Sequence, residues 1–131
     1  MPLTNATNAT GKRKCSIART WIQAGSGLFT VNNRSLESYF PRATNRSTVT
    51  SPIEMVNLQG KLDVTATIVG GGNSGQAGAL RHALSKALVT MDPSLRPVLK
   101  KEGLLTRDSR ITERKKFGQK GARARFQFSK R

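Results

Sequence analysis

The residues with the clearest chemical signature form a glycine-rich stretch at positions 70–75, followed by Gln76. The spacing satisfies G-x-G-x-x-G between a predicted strand and a predicted helix, which is the context of a dinucleotide-binding loop. That fold needs an acid at the end of a second parallel strand, whereas Asp92 lies between two predicted helices, beside a proline. A Walker-type loop is excluded because Gln76 occupies the place of its lysine. The stretch therefore gives little support for a nucleotide site.

The glycine-rich stretch can still bind a phosphate. Glycine lets the backbone approach an anion closely, and the first N–H groups of a helix are unsatisfied donors at its positive end. An RNA phosphate would suit this place, with Gly71, Gly72, Ser74 and Gln76 as its neighbours. The alternative is a tight turn required by packing of the helix on the sheet, and the two interpretations are compatible.

A second chemical signature is the basic segment 114–131, which contains eight basic residues and no acid. Apolar residues occur singly there, so the segment cannot bury enough apolar surface to offset the entropy of folding. We expect it to be extended and disordered until a polyanion neutralises it. Phe117, Phe126 and Phe128 have no core to join, and they are suited to stacking on unpaired bases.

The charge of the whole chain favours a nucleic-acid partner. The net charge is +16 over 131 residues, with thirteen basic and three acidic groups in residues 95–131 and ten and four in residues 1–94. Such a field attracts polyanions. A membrane surface would require an amphipathic basic helix with bulky apolar residues opposite the charges, and the tail has no such face.

The remaining reactive residues do not predict catalysis. His82 is the only histidine and has no Cys, Asp or Glu at metal-ligand spacing, Ser85 has no visible base, and the seven acids are scattered. We therefore expect no catalytic residue, no metal site and no cofactor. The single Cys15 excludes an internal disulfide, and no stretch approaches the roughly 20 apolar residues of a membrane span. Residues 1–10 have neither the features of a secretory signal nor the arginines of a transit peptide.

Strands and helices must position these groups. Residues 12–23 and 28–31 are predicted to be strands of a β-hairpin, joined by a turn at 24–27. Residues 62–69 alternate cleanly between apolar and polar side chains, which makes them the clearest strand. The region 35–40 predicts a short helical turn.

Three helices are predicted after that turn. Ser51, Pro52 and Glu54 form a capping box that would begin a helix. The strongest helical pattern covers residues 76–91. Its predicted apolar face carries Leu80, Leu84 and Leu88 with Ala79, Ala83 and Ala87, and its polar face carries Arg81, His82, Ser85 and Lys86. Asp92 and Pro93 begin a further helix that ends at Gly103, and residues 104–111 are predicted to be extended.

The predicted organisation is one α/β (α+β) domain with a tail. Residues 1–10 are low in complexity and are expected to be disordered. Residues 11–112 form the globular body, and residues 113–131 form an extended basic tail.

Several separated segments share a family pattern: residues 11–14 with Ala18 and Arg19, residues 70–88, residues 104–110, residues 113–116 and the FQFSKR terminus at 126–131. They resemble the ninth family of small-subunit ribosomal proteins in its bacterial form, and the match covers roughly residues 11–131. Agreement across separated segments is more specific than any one glycine motif.

The resemblance implies a compact body with a left-handed βαβ crossover. It also implies a structural constituent of the small ribosomal subunit that binds the 3′ major domain of the small-subunit rRNA, in the head. In that family the tail reaches the anticodon stem-loop of the peptidyl-site tRNA during translation. Neighbouring proteins of the head are further implied partners, and no small-molecule substrate is implied.

The resemblance also assigns roles to residues. Lys130 and Arg131 would bind tRNA. Lys120, Arg123 and Arg125 would line the route of the tail through rRNA. Apart from the resemblance, Lys12, Arg13 and Lys14 are either a solvated edge or a phosphate contact, and the high charge of the chain favours the contact. Charge and position also predict rRNA binding for the four residues named for the glycine-rich stretch and for Arg19, Arg81, His82, Lys86, Arg107, Arg110, Arg114, Lys115 and Lys116. Many bacterial relatives have more arginine between positions 118 and 124, so this tail is expected to hold rRNA less tightly.

Two rival functions are weaker. An architectural DNA-binding protein would carry a helix-turn-helix, a zinc site or a dimerisation stripe, and none is visible. A nucleotide-dependent enzyme lacks the required lysine and the required placement of an acid. The expected location is the ribosome of a bacterial cytoplasm, with the mitochondrial matrix as the alternative.

Overall fold

Alternation of buried and exposed side chains builds the sheet. The structure, a computed structural model, describes residues 7–58, 60–106 and 117. In the strand β5 (Leu62–Val69) every second residue is buried, as the sequence predicts. The strand β2 (Ser16–Ala24) follows the same rule, with Ser16, Ala18, Thr20 and Ile22 buried. One face of the sheet therefore packs on helices, and the other face meets solvent.

The other strands are β1 (Thr7–Arg13), β3 (Phe29–Val31) and β4 (Arg34–Ser35). Within the described residues the five strands form one sheet in the order β1-β2-β5-β3-β4. β3 and β5 are parallel, and the other neighbours are antiparallel. The chain passes between the parallel pair through two helices. The mixed α/β single domain is thus confirmed, while the left-handed crossover stays a prediction.

The predicted hairpin between residues 12–23 and 28–31 is wrong. The first segment is divided by a two-residue turn at Lys14 and Cys15, and its halves pair with each other as β1 and β2. β5 then lies between β2 and β3. Alternation of apolar and polar residues identifies a strand but does not identify the strand it pairs with, because pairing depends on the geometry of the connecting turns and on packing.

The predicted disorder of residues 1–10 is wrong for Thr7–Thr10, which form the first half of β1. Each of these residues has a partner in β2, from Thr7 opposite Ile22 to Thr10 opposite Arg19. Ala9 packs against the core. The polar composition that suggested disorder is compatible with a strand because threonine is β-branched and suits a half-buried sheet. Residues 1–6 lie outside the described part of the chain.

The short helix α1 (Leu36–Tyr39) confirms the helical turn expected near residue 36. Ser35 caps it, since the Ser38 backbone N–H donates to Ser35 Oγ at 3.2 Å. Asn32 and Asn33, with φ of +49° and +65°, form the two-residue turn between β3 and β4. Asparagine tolerates this left-handed region better than most residues.

The capping box predicted at Ser51, Pro52 and Glu54 does not form. The helix α2 (Ala43–Met55) begins well before these residues and contains Pro52 in its interior. A proline there removes the N–H that would bind the carbonyl of Thr48. Ser51 Oγ donates to Thr48 O at 2.8 Å and replaces that bond. The serine and the proline therefore continue the helix together.

The helix α3 (Asn73–Met91) confirms the strongest helical prediction and starts three residues earlier than expected. Its leucines and alanines pack on β1 and β2. The contact with β1 is close at Gly11, where a Cβ would collide with the backbone of Ala79 and Ala83. Ser85, predicted on the polar face, is fully buried, and its hydroxyl donates to Arg81 O at 2.8 Å.

The chain after α3 turns twice. Asp92 caps a 3-10 helix at Pro93–Leu95 that leads into α4 (Arg96–Lys101). Gly103, with φ of +76°, ends this region as predicted. Leu104 and Leu105 lie in the turn after α4, and the Leu104 N–H donates to Leu99 O, so the predicted extended segment is wrong at its start. The rest of residues 104–111 beyond Thr106 is not described.

Candidate nucleic-acid interface

Two loops meet at one end of the sheet, where β1 ends and β5 ends. We call this region, residues 12–15 and 70–74, the basic end. β2 and β5 pair up to Ile17 opposite Val69, and Ser16 Oγ donates to Gly70 O at 3.0 Å. The sequence folds this way locally because Lys14 adopts φ of +53° and closes the β1–β2 turn in two residues. The first turn of α3 follows immediately after the second loop.

The glycines of the basic end have different roles. Gly70 and Gly71 have φ of +77° and +69°, which favour glycine. A Cβ on Gly71 would collide with Ser16 Oγ, and one on Gly70 would collide with Cys15 O. Gly72 has φ of −106° and open space where a Cβ would lie. Packing therefore explains Gly70 and Gly71, whereas Gly72 leaves the backbone accessible from outside.

The start of α3 is a positively polarised surface. Gly72 is its N-cap and supplies no side-chain acceptor, and no acidic residue lies in the first turn. The first intrahelical bond runs from Gln76 N to Gly72 O at 2.8 Å. The preceding N–H groups, including that of exposed Ser74, keep their donor capacity for a ligand. An anion is the ligand that such an end favours.

Gln76, predicted to bind rRNA, is engaged within the protein. Its Nε2 donates to Gly70 O at 3.0 Å, and its Oε1 accepts from Tyr39 Oη at 2.8 Å. Tyr39 Oη in turn accepts from Asn32 Nδ2, and Asn32 bridges to both backbone groups of Ile68. Gln76 is thus a positioning residue that fixes the loop before α3. Asn32 and Tyr39 were missed by sequence reasoning, because only the tertiary fold brings them to this loop.

The predicted cations of β1 and β2 divide between two surfaces. Lys12 lies opposite Ile17 on β2, and Arg19 lies opposite Thr67 on β5. All four residues are exposed, so Lys12 and Arg19 lie on the solvent face of the sheet. Arg13 is half-buried along α3 beside Gly78. Exposed Lys14 extends towards the start of α3, where its Cδ lies 3.9 Å from the position of a Cβ on Gly75.

A second basic site lies along α3. His82 and Lys86, one turn apart, line a cleft of about 380 Å³ together with Arg96 and Leu105. Lys86 Nζ donates to Thr10 O at 2.9 Å, so this lysine also ties α3 to β1. Arg81, the remaining predicted residue on α3, is half-buried. No local pattern identified Arg96 as a member of this site, because only the turn at Asp92 brings it next to α3.

The strands and the helix that carry these surfaces contribute no acidic residue of their own. β1, β2 and α3 contain no Asp or Glu at all. Asp63 Oδ1 accepts backbone N–H groups of Ser26, Gly27 and Leu28, far along the sheet. The hydroxyl of Ser94, and secondly its N–H, donate to Asp92 and lower the pKa of that carboxyl below its usual value. The positive field of the basic end is therefore uncompensated from within these elements.

Comparison with known proteins identifies the family of the chain. Residues 11–131 match the family model described as ribosomal protein S9/S16. The chain belongs to the ribosomal protein S9/S16 family. Over 123 residues it is 54% identical to the small ribosomal subunit protein uS9 of Syntrophobacter fumaroxidans, covering 94% of this chain and 95% of that protein. It is 57% identical over 122 residues to the uS9 protein of Desulfovibrio desulfuricans, covering 93% and 94%.

Membership of the S9/S16 family confirms the resemblance and makes the chain a ribosomal protein of a non-enzymatic family. Within the described residues no group of three or more His, Cys, Asp or Glu side chains is placed to hold a metal ion. No helix in that same part of the chain has the length and apolar character needed to cross a membrane.

The S9/S16 match extends through the basic tail, but most of that tail lies outside the described residues. The predicted tRNA-binding residues Lys130 and Arg131 lie outside the described residues. So do the predicted rRNA-binding residues Arg107 and Arg110, which precede the tail, and Arg114, Lys115, Lys116, Lys120, Arg123 and Arg125 within it. Phe117 is described and is 95% exposed. It is therefore available for the stacking role predicted for it.

One aromatic residue of this S9/S16 chain was missed as a site candidate. Trp21 is half-buried on the solvent face of the sheet, in register with Asn8 and Thr65. Next to it, Ile17, Arg19, Thr67 and Val69 line a depression of about 290 Å³. The imperfect alternation of residues 12–23 hid this face, because the turn at Lys14 and Cys15 shifts the pattern.

Proposed function

We propose that this ribosomal protein is a structural constituent of the small ribosomal subunit, and that its basic end binds the phosphate backbone of the small-subunit rRNA. The observation that carries the proposal is that exposed Lys14 lies beside the uncapped start of α3, with exposed Lys12 two residues before it at the same end of the sheet. Lysines neutralise phosphates and release counterions, while helix N–H groups add directed hydrogen bonds. The names of the two bacterial relatives support the same assembly.

The finer proposal concerns where the protein binds. We infer contact with the 3′ major domain of the rRNA in the head, because the resemblance to the family implies this place and the family match extends over residues 11–131. Arg81, His82, Lys86 and Arg96 would extend the contact along α3. Trp21 is suited to stack on an unpaired base at the edge of that contact.

The natural cysteine provides the test. Cys15 is exposed at the basic end and is the only cysteine of the chain. An iron–EDTA tether on Cys15, in reconstituted small subunits, would generate hydroxyl radicals and cut nearby rRNA. Strong cuts confined to the 3′ major domain are expected.

The matched control moves the tether to the other end of the sheet. A Cys15→Ser/Ser26→Cys variant places it in the loop beside Asp63, and it should cut the rRNA more weakly and at other nucleotides. Equal cutting from both positions, or no cutting from Cys15 in subunits that contain the protein, would contradict the proposed orientation.

The tail is proposed to reach the peptidyl-site tRNA. Lys130 and Arg131 end the FQFSKR segment that matches the family pattern, and arginine can hold two phosphate oxygens with its planar fork. Deletion of both residues should leave subunit assembly intact and weaken tRNA binding in the peptidyl site. Filter binding of tRNA to purified subunits would measure this, and unchanged affinity would exclude a role for the tip.

A further inference from the structure

The opposite end of the sheet carries a groove with a different character. It has a volume of about 370 Å³ and lies between the β2–β3 loop, the start of α1 and the end of α2. Its apolar lining consists of Leu28, Phe29, Leu36, Ile53, Leu58 and Leu62. Leu28 is 66% exposed, so it adds accessible apolar surface to this lining. We call this site the acid-rimmed groove.

The loop that presents Leu28 is held in place. Asp63 Oδ1 accepts three backbone N–H groups, from Ser26 at 3.0 Å, Gly27 at 3.2 Å and Leu28 at 3.1 Å. Leu28 O accepts from Val64 N at 2.8 Å. Both the N–H and the carbonyl of Leu28 are therefore hydrogen-bonded, and the backbone of this loop is pre-organised. Little conformational entropy of the loop would be lost when a partner binds there.

The charge of the groove distinguishes it from the rest of the surface. Glu37 and Glu54 line it, and the described lining residues include no lysine or arginine. Glu54 Oε1 accepts from Thr50 Oγ1 at 3.3 Å, and in the described part of the chain neither glutamate has an ion pair. Three of the five acidic residues in the described part lie in or beside the groove, the third being Asp63.

We propose that the acid-rimmed groove binds a segment of a neighbouring protein of the small subunit, in which apolar side chains are flanked by lysine or arginine. The apolar floor would bury the apolar side chains, and the two glutamates would pair with the cations at the rim. RNA is disfavoured as the occupant, since its phosphates would face two carboxylates without a cation among the described lining residues. The inference rests on the proposed place of the chain in the small subunit.

The test uses two exposed apolar residues at opposite ends of the sheet. A diazirine-bearing amino acid replaces Leu28 in one variant and Val69, which is 57% exposed at the basic end, in the other. Small subunits assembled with each variant are purified in high salt, irradiated and analysed by mass spectrometry. Position 28 is expected to crosslink to a protein segment with lysine or arginine beside an apolar residue, and position 69 to rRNA.

The role of the two rim glutamates is tested by comparing a variant that lacks both with a variant that lacks an acid elsewhere. Glu37→Gln/Glu54→Gln should reduce the protein crosslink from position 28 by about threefold to tenfold, because two rim charges are lost. Glu102→Gln, which removes an exposed acid outside the groove, should leave it unchanged. An equal yield in the double variant would overturn the assignment of a basic partner.

Other outcomes at position 28 overturn the proposal. These are a crosslink to rRNA, a crosslink to residues 107–131 of the same chain, or no crosslink in subunits that contain the protein. Each of them leaves the proposed function standing. Absence of the protein from the subunit peak would instead overturn the proposed function and this inference together.

Discussion

The basic end and the acid-rimmed groove are the two ends of one sheet, and they differ in both charge and backbone. At the basic end Lys14 lies beside an uncapped helix start, Lys12 is exposed two residues earlier on the solvent face of the sheet, and the backbone at Gly72 is open. At the groove two glutamates border an apolar floor. A net charge of +16 suggests a uniformly basic surface, yet the fold separates the charges along the strands. Net charge therefore indicates the class of partner, and the fold decides which surface faces it.

The largest expected effect tests whether the basic end depends on close packing. Gly71→Ala adds a Cβ that collides with Ser16 Oγ and forces an L residue to φ of +69°, so it should reduce the free energy of unfolding by about 2 kcal/mol. Gly72→Ala, in open space and at negative φ, should cost clearly less, about the 0.5 to 1 kcal/mol by which alanine is poorer than glycine at an N-cap. Urea unfolding of both variants measures the difference. Equal stability of the two would show that packing does not fix this loop.

The next effect concerns RNA affinity and separates the two ends by charge. Lys12→Gln/Lys14→Gln should weaken binding to a 3′ major domain fragment by roughly tenfold, and should reduce the slope of log affinity against log salt by about 2. Lys100→Gln/Lys101→Gln, which removes two exposed lysines of α4, is the matched control. Filter binding at several salt concentrations gives both numbers. If the two double variants lower the slope of log affinity against log salt equally, the RNA responds to the total charge of the protein and the basic end has no special role.

A smaller effect tests the network that holds the basic end. Tyr39→Phe removes the hydroxyl that donates to Gln76 Oε1 at 2.8 Å and accepts from Asn32. Loss of such a half-buried hydrogen bond should cost about 1 kcal/mol of stability, and it should loosen the loop at Gly70. Hydrogen exchange should become faster there and stay unchanged in the loop beside Asp63. Uniform faster exchange at both ends would indicate a general loss of stability instead.

The smallest effect separates stability from binding at one residue. Lys14 holds φ of +53°, which costs an L residue free energy that glycine avoids. Lys14→Gly should therefore raise the stability by at most about 1 kcal/mol while weakening RNA binding. Thermal unfolding of this variant should show higher stability, and filter binding should show lower affinity for RNA. A loss of stability without a loss of binding would contradict a role for Lys14 at the interface.

Local patterns in the sequence predicted individual elements well. The alternation of residues 62–69 and the leucine spacing of residues 76–91 appear in the structure as β5 and most of α3. The prediction succeeded because periods of 2 and 3.6 report which side of an element is buried. The lysines at positions 12 and 14, which are predicted to bind rRNA, are exposed in the structure, and their role in binding stays a prediction. The errors at Ser51 and at residues 7–10 arose where local propensity permits two structures.

The sequence by itself determined the family, the basic character and the main helix and strand, because these depend on residue identity and short-range spacing. Only the tertiary structure decided that β5 lies between β2 and β3, since pairing depends on long-range packing. It likewise decided that Gln76 bonds to Tyr39 and that Arg96 joins His82 and Lys86. The acid-rimmed groove has the same origin. Glu37 and Glu54 are seventeen positions apart, and they line one groove only because the fold brings the start of α1 and the end of α2 to it.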